Sequence, residues 1–160
     1  MTAMIGLARM AWRKVSQPRL KPRTRDVFTA EKRSLVMSLI RAKDTKPEIA
    51  VRRALHALGY RFRLHDHTLP GRPDIVLRKH RVIIQVKGCF WHSHRCLRGR
   101  IPCGNRAYWA SKLAANKIRD RKTARQLRNM GWQVRTIWEC DVRRCAPDRL
   151  AARLMSLLRC

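Results

Sequence analysis

Acidic residues are scarce: ten Asp and Glu in a chain of 160 residues face thirty-eight Lys and Arg, for a formal net charge of +28. A surface that repels itself this strongly calls for a polyanionic partner, most commonly nucleic acid, and it disfavours an acidic small-molecule enzyme. Long hydrophobic runs are also lacking. Nothing approaches the roughly 18 unbroken apolar residues of a membrane span, so a membrane protein is disfavoured too. Met4 to Ala8 is too short for the apolar segment of a secretory signal, and no repeat or low-complexity tract is present. Hydrophobic residues at 45% argue against wholesale disorder, and the length suits one hydrophobic core. Charge alone leaves a merely basic or ribosome-associated protein and a DNA enzyme equally open.

Residues 1–28 read as a basic arm. No acid occurs before Asp26, seven of the first thirty residues are basic, and Pro18 and Pro22 interrupt any helix. An arm following a phosphate backbone fits, as do an organellar transit peptide and a start codon called too early. Residues 29–160 read as a single domain. Thr29 caps a helix carrying Leu35, Met37, Leu39 and Ile40 up to Arg41. Thr45, Pro47 and Gly59 punctuate a second helix with a Val51, Leu55, Leu58 stripe. Strands are expected over Tyr60–Leu64, Asp74–Arg78, Arg81–Lys87 and Trp132–Trp138. Asn105 caps a long basic helix reaching Gly131, and Asp148–Leu158 forms a closing helix. This order makes a mixed α/β domain with helices over a small sheet.

Most acids have easy roles: Asp26, Glu31, Asp66, Asp141 and Asp148 at caps, turns or tails, and Asp44 and Asp120 as caps or ion-pair partners. Two are harder to dismiss. If Arg78–Arg81 closes a hairpin, Asp74 faces Gln85, and alternation puts Asp74, Gln85 and Lys87 on one face. Glu48 lies about 20° from Leu55 at 100° per residue, on the inward stripe. A lone inward carboxylate costs several kcal/mol unless compensated; the competing explanation is a first-turn Glu favoured by the helix dipole. Two carboxylates and a backbone carbonyl suit Mg²⁺, with a cation beside a scissile phosphate.

A zinc-suited cluster follows at once. Cys89, His92, His94 and Cys96 fall within eight residues, and Cys140, Cys103 and Cys145 are further candidates. In a basic chain without a secretory signal, a metal is favoured over a disulfide. Spacing does not choose between His92 and His94. Whichever imidazole zinc leaves free suits proton transfer over the carboxylates. Phe90-Trp91 is either a core plug, the preferred reading of the residues taken alone, or an exposed wedge that a cationic protein could insert between base pairs.

Lys32-Arg33-Ser34, Met37-Ser38, Arg41 to Glu48, Leu69-Pro70-Gly71-Arg72-Pro73-Asp74, Gly88-Cys89-Phe90-Trp91-His92, Gly131-Trp132 and Trp138-Glu139-Cys140 resemble the very short patch repair (Vsr) endonucleases, over about Thr29 to Val142. The resemblance implies a restriction-endonuclease-like fold of the PD-(D/E)xK type, a mixed sheet flanked by helices with a structural zinc site. It implies Mg²⁺-dependent nicking of double-stranded DNA 5′ of the T in T:G mismatches that arise from 5-methylcytosine deamination. Asp74 would bind Mg²⁺ with the Val86 carbonyl, Glu48 joining through water. His92 would be catalytic, leaving Cys89, His94, Cys96 and Cys140 for zinc. Met37, Phe90 and Trp91 resemble the intercalating wedge, which reverses the preference for core packing; Lys112 and Asn116 resemble the mismatch-reading positions. Some members carry Thr-His where this chain has Val86-Lys87, and the lysine instead resembles the metal-site lysine of the wider nuclease superfamily, suited to stabilising phosphorane charge. A cytoplasmic monomer is expected, with recruitment of mismatch-repair proteins open. The competing functions are a non-catalytic zinc-stabilised DNA-binding protein and a nuclease of the same fold with another DNA target.

Overall fold

A computed structural model describes residues 29–39 and 43–159. The arm expected over residues 1–28, and Ile40 and Arg41 at the end of the first helix, lie outside the described residues. Along the chain run α1 (Ala30–Ser38), α2 (Lys46–Ala57), β1 (Arg63–Leu64), β2 (Ile75–Leu77), β3 (Val82–Lys87), α3 (Arg106–Asn129), β4 (Gln133–Trp138), α4 (Glu139–Arg144) and α5 (Pro147–Leu158). The strands form one mixed sheet in the order β1-β2-β3-β4, antiparallel until the parallel β3–β4 pair. A parallel pair cannot be closed by a hairpin, so the chain between them makes a long crossover that carries α3.

Ile75 pairs with Ile84 and Leu77 with Val82, the register expected from the sequence. The turn between them has no Asn-Gly; a 3₁₀ turn over Arg78–His80 closes it, with Arg81 in the left-handed region at φ 54°. Arg81 is held there by its guanidinium, which donates to the Met130 carbonyl at 2.9 Å and lies 4.8 Å over the Trp132 ring. Alternation then sorts the sheet. Ile75, Leu77, Val82 and Ile84 pack against Val51 and Leu55 of α2, Val142 of α4 and Leu150 and Leu154 of α5. Val76 and Ile83 face the other way, against Leu69, Trp132 and Leu127 of α3. Asp74, Gln85 and Lys87 share that second face, so the sheet presents its polar end toward α3.

Several elements differ from expectation. The strand over Tyr60–Leu64 shrinks to Arg63–Leu64, because Tyr60 and Phe62 pack onto the core beside α2 instead of alternating in a ladder. The helix α4 follows β4 directly; at six residues it is too short to show a helical period. Leu35 of α1 and Leu39 at its C-cap are 61% and 72% exposed, so these apolar residues do not join the core. Thr29 does cap α1, accepting from the Lys32 N–H, but Asn105 makes no side-chain cap on α3. Asp66, read as a turn acid, is buried: Thr68 donates to it through hydroxyl and N–H, and Arg78 donates at 2.7 Å. Those bonds hold its carboxyl down to about 2 and pin the β1–β2 loop.

Candidate functional site

Where α2 begins and β3 ends, a cleft of about 740 Å³ opens between the sheet and α3. Glu48 enters it from the buried stripe of α2 that also carries Val51 and Leu55, and is 4% exposed. Its burial is compensated. Thr45 Oγ donates to Oε1 at 2.7 Å, while the Asp44 N–H and Arg52 Nη2 donate to Oε2 at 3.1 and 3.0 Å. Arg52 also binds Asp44 and contacts His65 Nε2 at 3.1 Å, so a guanidinium already fills the middle of the Asp44, Glu48, His65 group. Thr45 therefore tethers Glu48 instead of capping the helix backbone.

Asp74 faces Glu48 across the cleft floor, one Oδ accepting from the Val86 N–H at 2.9 Å. Burial pushes its carboxyl above the ordinary aspartate range; the Val86 N–H opposes this, and the Glu48 charge adds to it. A carboxylate destabilised in this way gains from a cation. Gly71, at φ 74°, sits so close to α3 that a Cβ there would lie 2.3 Å from Thr123 Cγ2, which fixes the turn leading into Asp74. The carboxylate oxygens that Glu48 and Asp74 bring to the cleft are hard donors, which suit a hard divalent cation such as Mg²⁺ better than a soft metal.

The opposite wall comes from α3. Lys112, Asn116, Arg119 and Asp120 lie on one face of the helix and line the cleft. Asp120 accepts from Lys87 Nζ at 3.0 Å, and the same oxygen makes a short hydrogen bond with His92 Nδ1. Burial works to raise the Asp120 carboxyl, but the bonds from His92 and Lys87 prevail and leave it lowered. Asp120 thus orients an imidazole and an ammonium together. Its ion-pair role was legible, its place in the site was not; the available signal was its position one turn beyond Asn116 on the same helix face.

Downstream of β3 the chain turns sharply, the His92 and His94 N–H groups donating to the Gly88 and Cys89 carbonyls and Ser93 adopting φ 48°. This turn separates the two histidines: His92 lines the cleft, and His94 joins Cys89, Cys96 and Cys140. One ligand atom from each of these four lies within 4.8 Å of the others, which fits a tetrahedral thiolate–imidazole site. His94 Nδ1 is 3.4 Å from Cys140 Sγ, and its ring stacks on Trp138 at 4.2 Å. Gly99 closes the loop; a Cβ there would lie 1.9 Å from the His94 carbonyl oxygen. Cys103 is exposed and Cys145 packs on the core, so neither belongs to the cluster.

Phe90 and Trp91 are half-buried, each edge-on to the other at 5.1 Å and both against the buried Trp109. They form neither a sealed plug nor a free wedge. Trp91 reaches the cleft, as does Met37 of α1, whereas Phe90 packs behind. The Trp91 carbonyl accepts from Asn116 Nδ2 at 3.1 Å, and Lys112 Nζ stands 5.5–6.0 Å from the rings of Tyr108, Trp109 and Trp91. No described helix is long and apolar enough to cross a membrane.

Known proteins resemble this sequence. The profile of the family described as DNA mismatch endonuclease Vsr matches residues 25–98. The type II nicking enzyme V.XorIIP of Xanthomonas oryzae is 43% identical over 133 residues, 83% of this chain and 96% of that protein. V.NmeAIP of Neisseria meningitidis is 42% identical over 78% of this chain and 89% of its own length. The DNA mismatch endonuclease Vsr of Escherichia coli is 38% identical over 74% of this chain and 76% of its own length. With likeness of this extent spanning both the carboxylate cleft and the Cys-His loop, the chain belongs to the Vsr family of endonucleases, hydrolases that act on DNA.

Proposed function

We propose that this protein nicks double-stranded DNA on the 5′ side of the T in a T:G mismatch, in the repair of deaminated 5-methylcytosine. The observation that carries the proposal is the convergence of Glu48 and Asp74 on one cleft whose far wall is His92, Asp120 and Lys87. Asp74 and the Val86 carbonyl would hold a divalent cation, Mg²⁺, with Glu48 joining through water. When bound, the ion neutralises phosphate charge and makes water acidic enough to attack phosphorus. Every other part of the chemistry belongs to side chains. Asp120 fixes the His92 ring through Nδ1, so Nε2 is the nitrogen left to exchange a proton with the reacting oxygens. Lys87 sets an ammonium beside the phosphate, where charge grows in the transition state. Cys89, His94, Cys96 and Cys140 would hold zinc and so fix the strand end that carries Lys87.

Asp120→Asn is expected to slow single-turnover nicking by on the order of 10²-fold or more, because Asn can present the wrong partner to Nδ1. DNA affinity should stay equal or rise, since an anion leaves the cleft. Unchanged turnover would remove the pair from the mechanism.

Met37, Phe90 and Trp91 would open the duplex at the mismatch, and Lys112 and Asn116 would read its edges. A cleavage assay over all mismatches in varied sequence contexts tests this assignment; cutting confined to T:G supports it, and equal cutting of matched duplexes rejects it. Replacing Phe90 and Trp91 together by Ala should reduce T:G preference by about tenfold or more, because the unstacking contribution is lost. Relatives named as nicking enzymes make sequence context the informative variable in that assay. The protein would work as a monomer in the cytoplasm. Zinc-stabilised binding without catalysis is the weaker reading, since simple binding has no need of buried carboxylates.

A further inference from the structure

Gln85 has no task in the chain as described. It stands on β3 in the register position opposite Asp74, one residue from Val86 and two from Lys87, and lines the cleft. Its Oε1 is buried and accepts no hydrogen bond from the described residues. An orphaned buried amide oxygen is costly and rare, and each instance calls for an explanation. The next pair along the same face, Val76 and Ile83, is apolar and buried, so the face turns polar only where it reaches the cleft. An amide at this point therefore gives up stability for a partner that comes from outside the chain.

We propose that Gln85 is an additional oxygen donor to the divalent cation held at Asp74, a neutral ligand completing the set on the β2–β3 hairpin. The proposal rests on the cleft being a cation site, as argued above. Three observations favour a cation over a phosphate as the partner. Gln85 is the cross-strand neighbour of a carboxylate, whose side chain lies about 5 Å away in such pairs. The unsatisfied atom is an acceptor, which a cation or a donor satisfies and a phosphate oxygen does not. Lys87, the nearby cation, is already bound to Asp120, so it does not serve as that donor. Glu48 cannot stand in for Gln85 fully, because three donors already occupy its oxygens. A neutral amide lowers the negative charge of the site and so limits how tightly the metal is held, which leaves room for the phosphate oxygens of DNA to complete the coordination.

The test uses the full-length, zinc-loaded protein without DNA and Mn²⁺ as the probe, with binding read by electron paramagnetic resonance and calorimetry. Gln85→Leu should weaken Mn²⁺ binding by about tenfold and raise the melting temperature of the Mn²⁺-free protein. Gln85→Glu should tighten Mn²⁺ binding by about tenfold and lower the Mn²⁺-free melting temperature, because it adds a charge beside Asp74. A purely structural Gln85 would change melting and leave Mn²⁺ affinity alone. Wild-type affinity in both variants overturns the proposal. Asp74→Asn serves as the reference: if it abolishes Mn²⁺ binding while the Gln85 variants bind normally, the cleft remains a cation site and only the role of Gln85 fails. If Asp74→Asn binds Mn²⁺ as wild type does, the cation site itself is misplaced and the Gln85 assignment falls with it.

Discussion

Asp74→Asn should abolish nicking, by at least about 10³-fold under single turnover, while the protein still folds and still binds a T:G duplex. A factor of this size corresponds to about 4 kcal/mol of transition-state stabilisation, the scale of one preorganised electrostatic element. The substitution isolates chemistry because Asn keeps an acceptor for the Val86 N–H, which holds the β2–β3 geometry. Burial and the Glu48 charge raise the Asp74 carboxyl, although the Val86 bond opposes them. A carboxyl whose folded value lies above its unfolded one favours folding in the protonated form. It loses that contribution as pH rises from the unfolded value, near 3.9, through the raised one. At neutral pH without a cation, ionised Asp74 is therefore a liability. Asp74→Asn should melt higher than wild type in zinc-loaded protein kept free of Mg²⁺ and Mn²⁺, and the difference should shrink in acid. Binding to DNA should be equal or tighter, since one negative charge leaves a phosphate-facing cleft. A variant that cuts like wild type would remove the metal-site assignment; one that fails to bind DNA would recast Asp74 as a structural residue.

The carboxylate pair was legible because two strict periods locate it. A strand alternates by two, so the hairpin over Arg78–Arg81 placed Asp74 opposite Gln85 and with Lys87. A helix turns 100° per residue, so Glu48 had to share the inward stripe of Val51 and Leu55. Asp120 was hidden for the converse reason. The helix α3 is basic and polar around much of its surface, burying Trp109, Leu113 and Leu127, and only the spacing from Asn116 sets its single acid apart. Its partners, Lys87 and His92, are 33 and 28 residues away, a distance that the sheet and crossover close. The choice between His92 and His94 was likewise not local: both lie in one short loop, and the Ser93 backbone and the Trp138 ring decide it. The aromatic pair resisted a sequence reading because its partner Trp109 lies on a different element, and packing against one face leaves each ring half-buried. The exposed Leu35 of α1 and Leu39 at its C-cap show the limit of periodicity, which gives a helix a face without supplying anything to cover it.

Removing the zinc proposed for the Cys-His cluster should unfold this protein at 25 °C, not merely slow it. The four ligands come from separate places: Cys89 just beyond β3, His94 and Cys96 in the loop, and Cys140 at the start of α4. An ion held by all four would clamp the ends of two parallel strands whose final pair is Lys87 and Trp138. Without a metal the cluster is badly placed. Burial pushes the Cys89 thiol up to about 12 and raises Cys140, while the His94 hydrogen bond draws Cys96 down to about 6. Near neutral pH the metal-free cluster therefore keeps Cys89 and Cys140 protonated, and loading zinc should release about two protons, measurable by titration in weak buffer. Structural zinc binding contributes about 10–16 kcal/mol in small zinc domains. The whole stability of a domain is about 5–15 kcal/mol. Loss of the first consumes the second, so chelation or Cys140→Ser should erase the cooperative melt followed by circular dichroism. Cys103→Ser, at an exposed position outside the cluster, should leave it intact. A chelated protein that still melts cooperatively at its former temperature would show that apolar packing alone holds the β3–β4 ends together, and the cluster would then need another role.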